Sequence, residues 1–120
     1  MKKLLFLAFA TCSLVASAQN PKNARVNANL SYDAYYNTVM IGKPDPAQLA
    51  DAQKNIDIAA KDAEVGADIK TWETLGRIYS AIGNDQVMSK QFPNCWSIVD
   101  QSLNKVIELD VKKKYKSEIK

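Results

Sequence analysis

From residue 24 to residue 110 the apolar positions recur every three or four residues and nowhere alternate, so the chain reads as helices without strands. Residues 24–41, "ARVNANLSYDAYYNTVMI", put Ala28, Tyr32, Tyr35 and Val39 on one side and stop at Gly42, with Pro44 just beyond. "DPAQ" at 45–48 restarts the chain. Asp45 is the N-cap, Pro46 takes the first helical position, where its missing N–H costs nothing, and Gln48 makes a capping box. The helix it opens runs from about 46 to 64, with Leu49, Ala52, Ile56, Ala59 and Ala60 inward and an Asp57–Lys61 pair outward. Gly66 breaks the chain, and Asp68 caps a third helix over 69–82 that ends at Gly83 and Asn84. "NDQVMSKQFPN" shows no period and reads as a loop. A fourth helix over about 95–110 aligns Trp96, Val99, Leu103 and Val106. Four helices on short links predict an all-α antiparallel array.

The third helix holds the most informative stretch, "WETLGRIY" at 72–79. Trp72, Leu75, Gly76 and Tyr79 fall at i, i+3, i+4 and i+7, one stripe of a helix. A glycine inside a helix costs about 1 kcal/mol against alanine. It is tolerated where a neighbouring helix passes so close that a methyl group does not fit. Gly76 therefore predicts a helix crossing walled by Trp72 and Tyr79.

This pattern, W-x2-L-G-x2-Y, resembles the first helix of a tetratricopeptide repeat (TPR). The second helix of that repeat carries an alanine, an aromatic four residues on and another alanine three further. Val99, Leu103 and Val106 hold those spacings, and "VIELDV" at 106–111 resembles the closing turn with Val111 where proline is usual. Ala52, Ile56 and Ala59 repeat the spacing, so the second helix is similar to the end of a preceding repeat whose first helix is 24–41. The resemblance implies about two repeats of antiparallel helix-turn-helix over residues 19–120, with the first helix of each pair lining a concave groove. The sequence departs from the pattern twice. The span from Trp72 to Val106 exceeds the motif by about 11 residues, which places an insertion around 83–93, and the first helix lacks W-x2-L-G-x2-Y. The likeness extends to small exported bacterial tetratricopeptide proteins.

Export is expected independently, because "MKKLLFLAFATCSLVASA" at 1–18 has the three parts of a secretory signal. Lys2 and Lys3 are its basic region, Leu4 to Val15 its apolar region, and Ala16-Ser17-Ala18 its cleavage site. The apolar run is shorter than the roughly 20 residues a membrane span needs. A lipid-attachment reading of Cys12 meets Thr11 where a small residue is wanted. The destination is then the periplasm, the cell envelope or the medium. Removing the signal leaves 16 − 2 = 14 basic against 13 acidic side chains, so the alkaline balance says little about partners. It also leaves Cys95 as a lone cysteine, a small buried hydrophobe with no disulfide to make.

The chain has no histidine, which removes the commonest general base and metal ligand and every Ser-His or Cys-His nucleophile. No phosphate loop, metal-ligand spacing or aromatic-basic nucleic-acid surface is visible. The expectation is a non-enzymatic protein, with no catalytic residues, cofactor, metal or nucleic-acid partner, that mediates protein-protein contacts. Lys70, Glu73, Arg77 and Ser80 form their own stripe beside the Trp72 stripe and are the candidate groove residues, with Arg77 and Lys70 suited to a carboxylate such as a peptide terminus. Glu73 and Arg77 also have the spacing of a helix-surface ion pair. The loop at 83–94 is the second candidate contact surface, since Val87, Met88 and Phe92 are too apolar for a purely solvated link, and Phe92 is expected to fold back. The competing reading is an envelope-surface or anionic-polymer binder using the lysine-rich "DVKKKYKSEIK". Repeat arrays generally need about three repeats and a polar cap. The face around Ile98 and Leu109 is therefore expected to meet a partner or a second copy, unless the chain is a truncated version of a longer repeat protein.

Overall fold

A computed structural model describes residues 20–119, with side chains described to residue 112. The signal expected over 1–18 and Cys12 lie outside the described residues. All described regular structure is helical: α1 (Pro21–Met40), α2 (Pro46–Lys61), a 3-10 turn (Val65–Ala67), α3 (Ile69–Asn84), a one-turn α4 (Met88–Gln91) and α5 (Cys95–Ile119). The expected all-α class is what the structure shows, with α1 packed on α2, α2 on α3 and α3 on α5.

The helix ends follow local chemistry. α1 starts three residues before the expected point, because Asn20 Oδ1 accepts the Lys22 amide at 2.8 Å and Pro21 opens the helix. It stops where expected: Gly42 takes φ +78°, the Lys43 amide donates to Thr38 O at 2.9 Å and the Gly42 amide to Val39 O at 3.0 Å, a Schellman turn. Asp45 caps α2 through the Ala47 amide, but its own amide donates to Thr38 Oγ1 at 3.0 Å and not to Gln48. α2 ends at Lys61, earlier than expected, since the Asp62 carboxylate takes the Glu64 and Val65 amides and turns the chain. Asp68 caps α3 through the Lys70 amide.

Gly76 sits at a helix crossing. A Cβ built there would lie 2.7 Å from Ser102 Oγ on α5. Gly83, expected to end α3, is helical instead and lies under the indole of Trp96, whose ring atoms would be 2.5 Å from a Cβ. Leu75 and Tyr79 are buried, Trp72 is partly so, and the Trp72 Nε1–H donates to Gly66 O at 2.6 Å. The core joins these to Ala28, Tyr35, Leu49, Ala52, Ile56, Ala59, Ile78, Ile82 and Met88.

The register of the last helix differs from the expectation. Ser102, which the expected stripe of Trp96, Val99, Leu103 and Val106 leaves out, faces Gly76; Val99 and Val106 are half-buried, and Leu103 is turned outward at 55% exposure. Counted from Ser102, the four-and-three spacing falls on Val106 and Leu109, both half-buried. The physical reason is the glycine itself: the helix that meets Gly76 must present a small side chain, and Ser102 is the small residue on that face of α5.

Asp57 also departs from expectation. It is half-buried and accepts the Tyr79 hydroxyl at 3.0 Å and the Gln53 amide at 2.6 Å, because a buried phenol requires an acceptor, while the Lys61 charge acts on it without an ion pair within 4 Å. Phe92 folds back as expected and meets the Tyr79 ring edge-on, with centroids 6.1 Å apart.

Candidate functional site

α1 lies alongside α3 through polar contacts at one end and aromatic ones at the other. Arg25 Nη1 donates to Asp68 Oδ2 at 2.7 Å and to Thr71 Oγ1 at 3.2 Å, and Thr74 Oγ1 donates to Asn29 Oδ1 at 3.4 Å. The Arg25 guanidinium holds the Asp68 carboxyl below its ordinary range. Arg25, Asn29, Tyr32 and Tyr36 recur at four, three and four, so the stripe of α1 beside α3 runs from a cation to two phenols.

At the aromatic end a cleft of about 610 Å³ opens between the last turns of α1 and α3. Tyr32, Tyr35, Tyr36 and Val39 line it from α1, Pro44 and Pro46 from the turn into α2, and Ala81, Asn84, Asp85, Gln86 and Val87 from the end of α3 and its exit. Its walls are more apolar than polar, with Tyr32, Tyr35, Tyr36, Asn84, Asp85 and Gln86 carrying its polar side chains. Apolar walls with a few polar groups are the usual composition of a ligand-binding cleft. Met40 and Ile41, which follow the lining residue Val39 in sequence, are among the most exposed large hydrophobics at 69% and 73%.

Hydrogen bonds tie the floor of the cleft together. The Tyr35 hydroxyl donates to Asp85 Oδ2 at 2.8 Å, while Asp85 Oδ1 accepts the Val87 and Met88 amides at 2.9 and 2.8 Å. Burial and the neighbouring carboxylate push the Tyr35 phenol up to about 12. Burial acts to raise the Asp85 carboxyl as well, but the two amides and the Tyr35 hydroxyl outweigh it and hold Asp85 below its ordinary range. Asp85 is therefore an anion committed to structure. Tyr32 is raised by its burial against the opposing positive charge of Arg77.

The candidate groove residues fall on the exposed face of α3, next to the α1 stripe. Lys70, Glu73 and Arg77 are exposed, and Ser80 Oγ donates to Gly76 O at 2.8 Å, tied to its own helix. Arg77 lies close enough to Tyr32 to act on its hydroxyl. None of the four, Lys70, Glu73, Arg77 and Ser80, lines the cleft. Among the ion pairs of the described residues, none joins Glu73 to Arg77. The loop expected as a second contact surface contributes Asp85, Gln86 and Val87 to the cleft. Tyr36 escaped the sequence reading because it lies off the Ala28–Tyr32–Tyr35–Val39 side; its spacing of four from Tyr32 was the signal available.

Among the described residues no helix is long and apolar enough to cross a membrane. In comparisons with models of known families, with curated proteins and with solved structures, nothing matches the chain.

Proposed function

We propose that this chain is an exported, non-enzymatic helical-repeat protein of tetratricopeptide type that holds a segment of a protein partner in the periplasm, in the cell envelope or outside the cell. The observation that carries the reading is the cleft at the end of α1 and α3, with three tyrosines and two prolines in its lining and the exposed Met40 and Ile41 next in sequence to its Val39. Tyrosine is enriched at protein interfaces because its ring contributes large apolar contact at low entropic cost while its hydroxyl still finds a partner. Arg77, outside the lining but near enough for its charge to act on the Tyr32 phenol, supplies a cation for an acidic side chain or a chain terminus of the partner.

Envelope extract passed over the immobilised parent, Tyr36→Ser and Arg77→Glu proteins tests it. Both positions are exposed, so the substitutions leave the core intact. The expected result is a partner protein held by the parent through moderate salt, lost with Tyr36→Ser and weakened with Arg77→Glu. Equal capture by all three proteins, or capture that disappears on adding salt, would overturn the cleft and favour a charge-driven surface.

A further inference from the structure

The tyrosine cleft carries negative charge that no cation of its own chain answers. Asp85, the one charged residue in its lining, is 6% exposed, and the two amides and the phenol that hold it ionised are all neutral donors. None of the ion pairs among the described residues includes it. A buried carboxylate is ordinarily matched by a cation. The backbone adds charge of the same sign. α1 and α3 both end at the cleft, each C-terminus carries roughly half a negative elementary charge, and neither helix has a basic residue in its last turn. The N-terminus of α2, which meets the cleft at Pro46, does not offset this, since the Asp45 carboxylate caps it. Lys43, beside the lining Pro44, and Arg77 are both exposed and outside the lining, so solvent screens them, and the exposed Asp33 acts on the Tyr32 phenol against Arg77.

From these features we infer that the side chain entering the cleft is an arginine of the partner segment, its guanidinium taken up among Tyr32, Tyr35 and Tyr36 while Asp85 and the ends of α1 and α3 supply the opposite charge. The inference rests on the cleft being the partner site and adds the chemistry of what it holds. Phenol rings attract cations through the negative potential of their faces. Arginine fits better than lysine. Its flat guanidinium is weakly hydrated and stacks on rings, so it gives up less on entering walls that are more apolar than polar, whereas a compact ammonium holds its water. The complementarity is specific in sign: an acidic side chain in the same place would meet a buried anion and two negative helix ends. Arg77, outside the lining, is left for an acidic group elsewhere on the segment.

Nuclear magnetic resonance titrations test it, with the Val87 and Met88 amides as reporters on Asp85. The probes are acetyl-Gly-Arg-Gly-amide, its glutamine and glutamate counterparts, and tetramethylammonium. The arginine peptide is expected to shift both amides saturably, and the glutamine and glutamate peptides to leave them in place. Gln86 is exposed in the lining, so its charge can be changed without touching the core. Gln86→Glu is expected to tighten the arginine peptide roughly 5-fold and Gln86→Lys to weaken it by a similar factor. Asp85→Asn, which keeps an oxygen for the two amides, should weaken it further. Saturation by none of the probes, glutamine or glutamate peptide binding as tightly as arginine, or no ordering of the Gln86 series by charge would overturn the inference. Saturation by tetramethylammonium and not by the arginine peptide would overturn it in favour of a free quaternary cation. Capture from envelope extract separates the two levels: a partner lost with Tyr36→Ser but held equally by Gln86→Lys and the parent would leave the cleft as the partner site and overturn the arginine.

Discussion

Tyr35 and Asp85, fifty residues apart in sequence, are joined by a 2.8 Å hydrogen bond in which the phenol donates to Oδ2 of a carboxylate whose Oδ1 caps the start of α4. One side chain thereby fixes where α3 ends, how α4 begins and how close the last turns of α1 stand to both. The segment between α3 and α5 is anchored at the cleft and contributes Asp85, Gln86 and Val87 to its lining.

Tyr35→Phe removes a hydrogen bond to a charged acceptor but leaves Asp85 its two amides, so a loss of about 1.5 kcal/mol is expected. Asp85→Ala removes the cap and strands the Tyr35 hydroxyl, and about 3 kcal/mol is expected. The double variant should lose clearly less than the sum of the two, because each single change already breaks the shared bond. Urea unfolding of the four proteins measures this; strict additivity would show that the bond does not form in solution.

Gly76→Val should destabilise by about 2 kcal/mol or more, since its Cβ alone would lie 2.7 Å from Ser102 Oγ. Gly76→Ala gains about 1 kcal/mol of helix propensity and loses about as much by displacing that hydroxyl. Combining Gly76→Ala with Ser102→Ala removes the clash, because the Ser102 Cβ is 3.6 Å away, so the pair should be at least as stable as the parent. Thermal melts decide this. A double variant weaker than both singles would contradict the crossing.

Gly83→Ala makes a parallel case at the other end of α3, where the obstacle is the indole of Trp96. Trp96 is half exposed and can swing outward, so the expected cost is about 1 kcal/mol, with a red shift in its fluorescence as the ring moves further into water. An unchanged emission spectrum would show that the ring does not rest on Gly83.

Features set by neighbouring residues were legible in the chain: the Gly42 stop, the Asp45 and Asp68 caps, the all-α class and the crossing at Gly76. What depended on a distant partner was not. α5 has two apolar stripes, and periodicity does not say which of Val99, Leu103 and Val106 turns inward; the requirement for a small residue opposite Gly76 would have pointed to Ser102. Asp57 looked like a surface charge because the phenol it accepts from lies on another helix. The candidate stripe on α3 lies near the site without lining it, because the cleft needs three separated pieces of chain, and residues such as Pro44 and Gln86 lie in turns that have no period. α4 is four residues long, too short to show a period.

Stability should respond to acid in two opposed steps. Burial raises the Asp57 carboxyl despite its bonds to Tyr79 and Gln53, so the folded state takes up a proton more readily than the unfolded one and gains stability as pH falls through that raised value. Asp85 and Asp68 are lowered, so their contribution is complete above the unfolded value of about 4 and is lost as pH falls below it. At the alkaline end Tyr35 and Tyr79, both raised to about 12, stabilise fully below the unfolded value of about 10 and lose that contribution between there and about 12. Urea midpoints against pH should therefore peak on the mildly acidic side. Asp57→Asn should remove the rise toward the peak, and Asp85→Asn part of the fall below it; a midpoint that declines steadily from pH 7 downward would contradict the assignment to Asp57.

The most direct measurement of the central claim, that the tyrosine cleft is where a partner binds, is site-resolved photo-cross-linking in the producing cell. A photoreactive phenylalanine analogue replaces Tyr36 at the cleft in one protein and Lys54, exposed on α2, in another. The account predicts a discrete protein adduct at position 36 that fades when Arg77→Glu is added, and no such adduct at position 54. Adducts of the same proteins at both positions, or none at position 36, would contradict it.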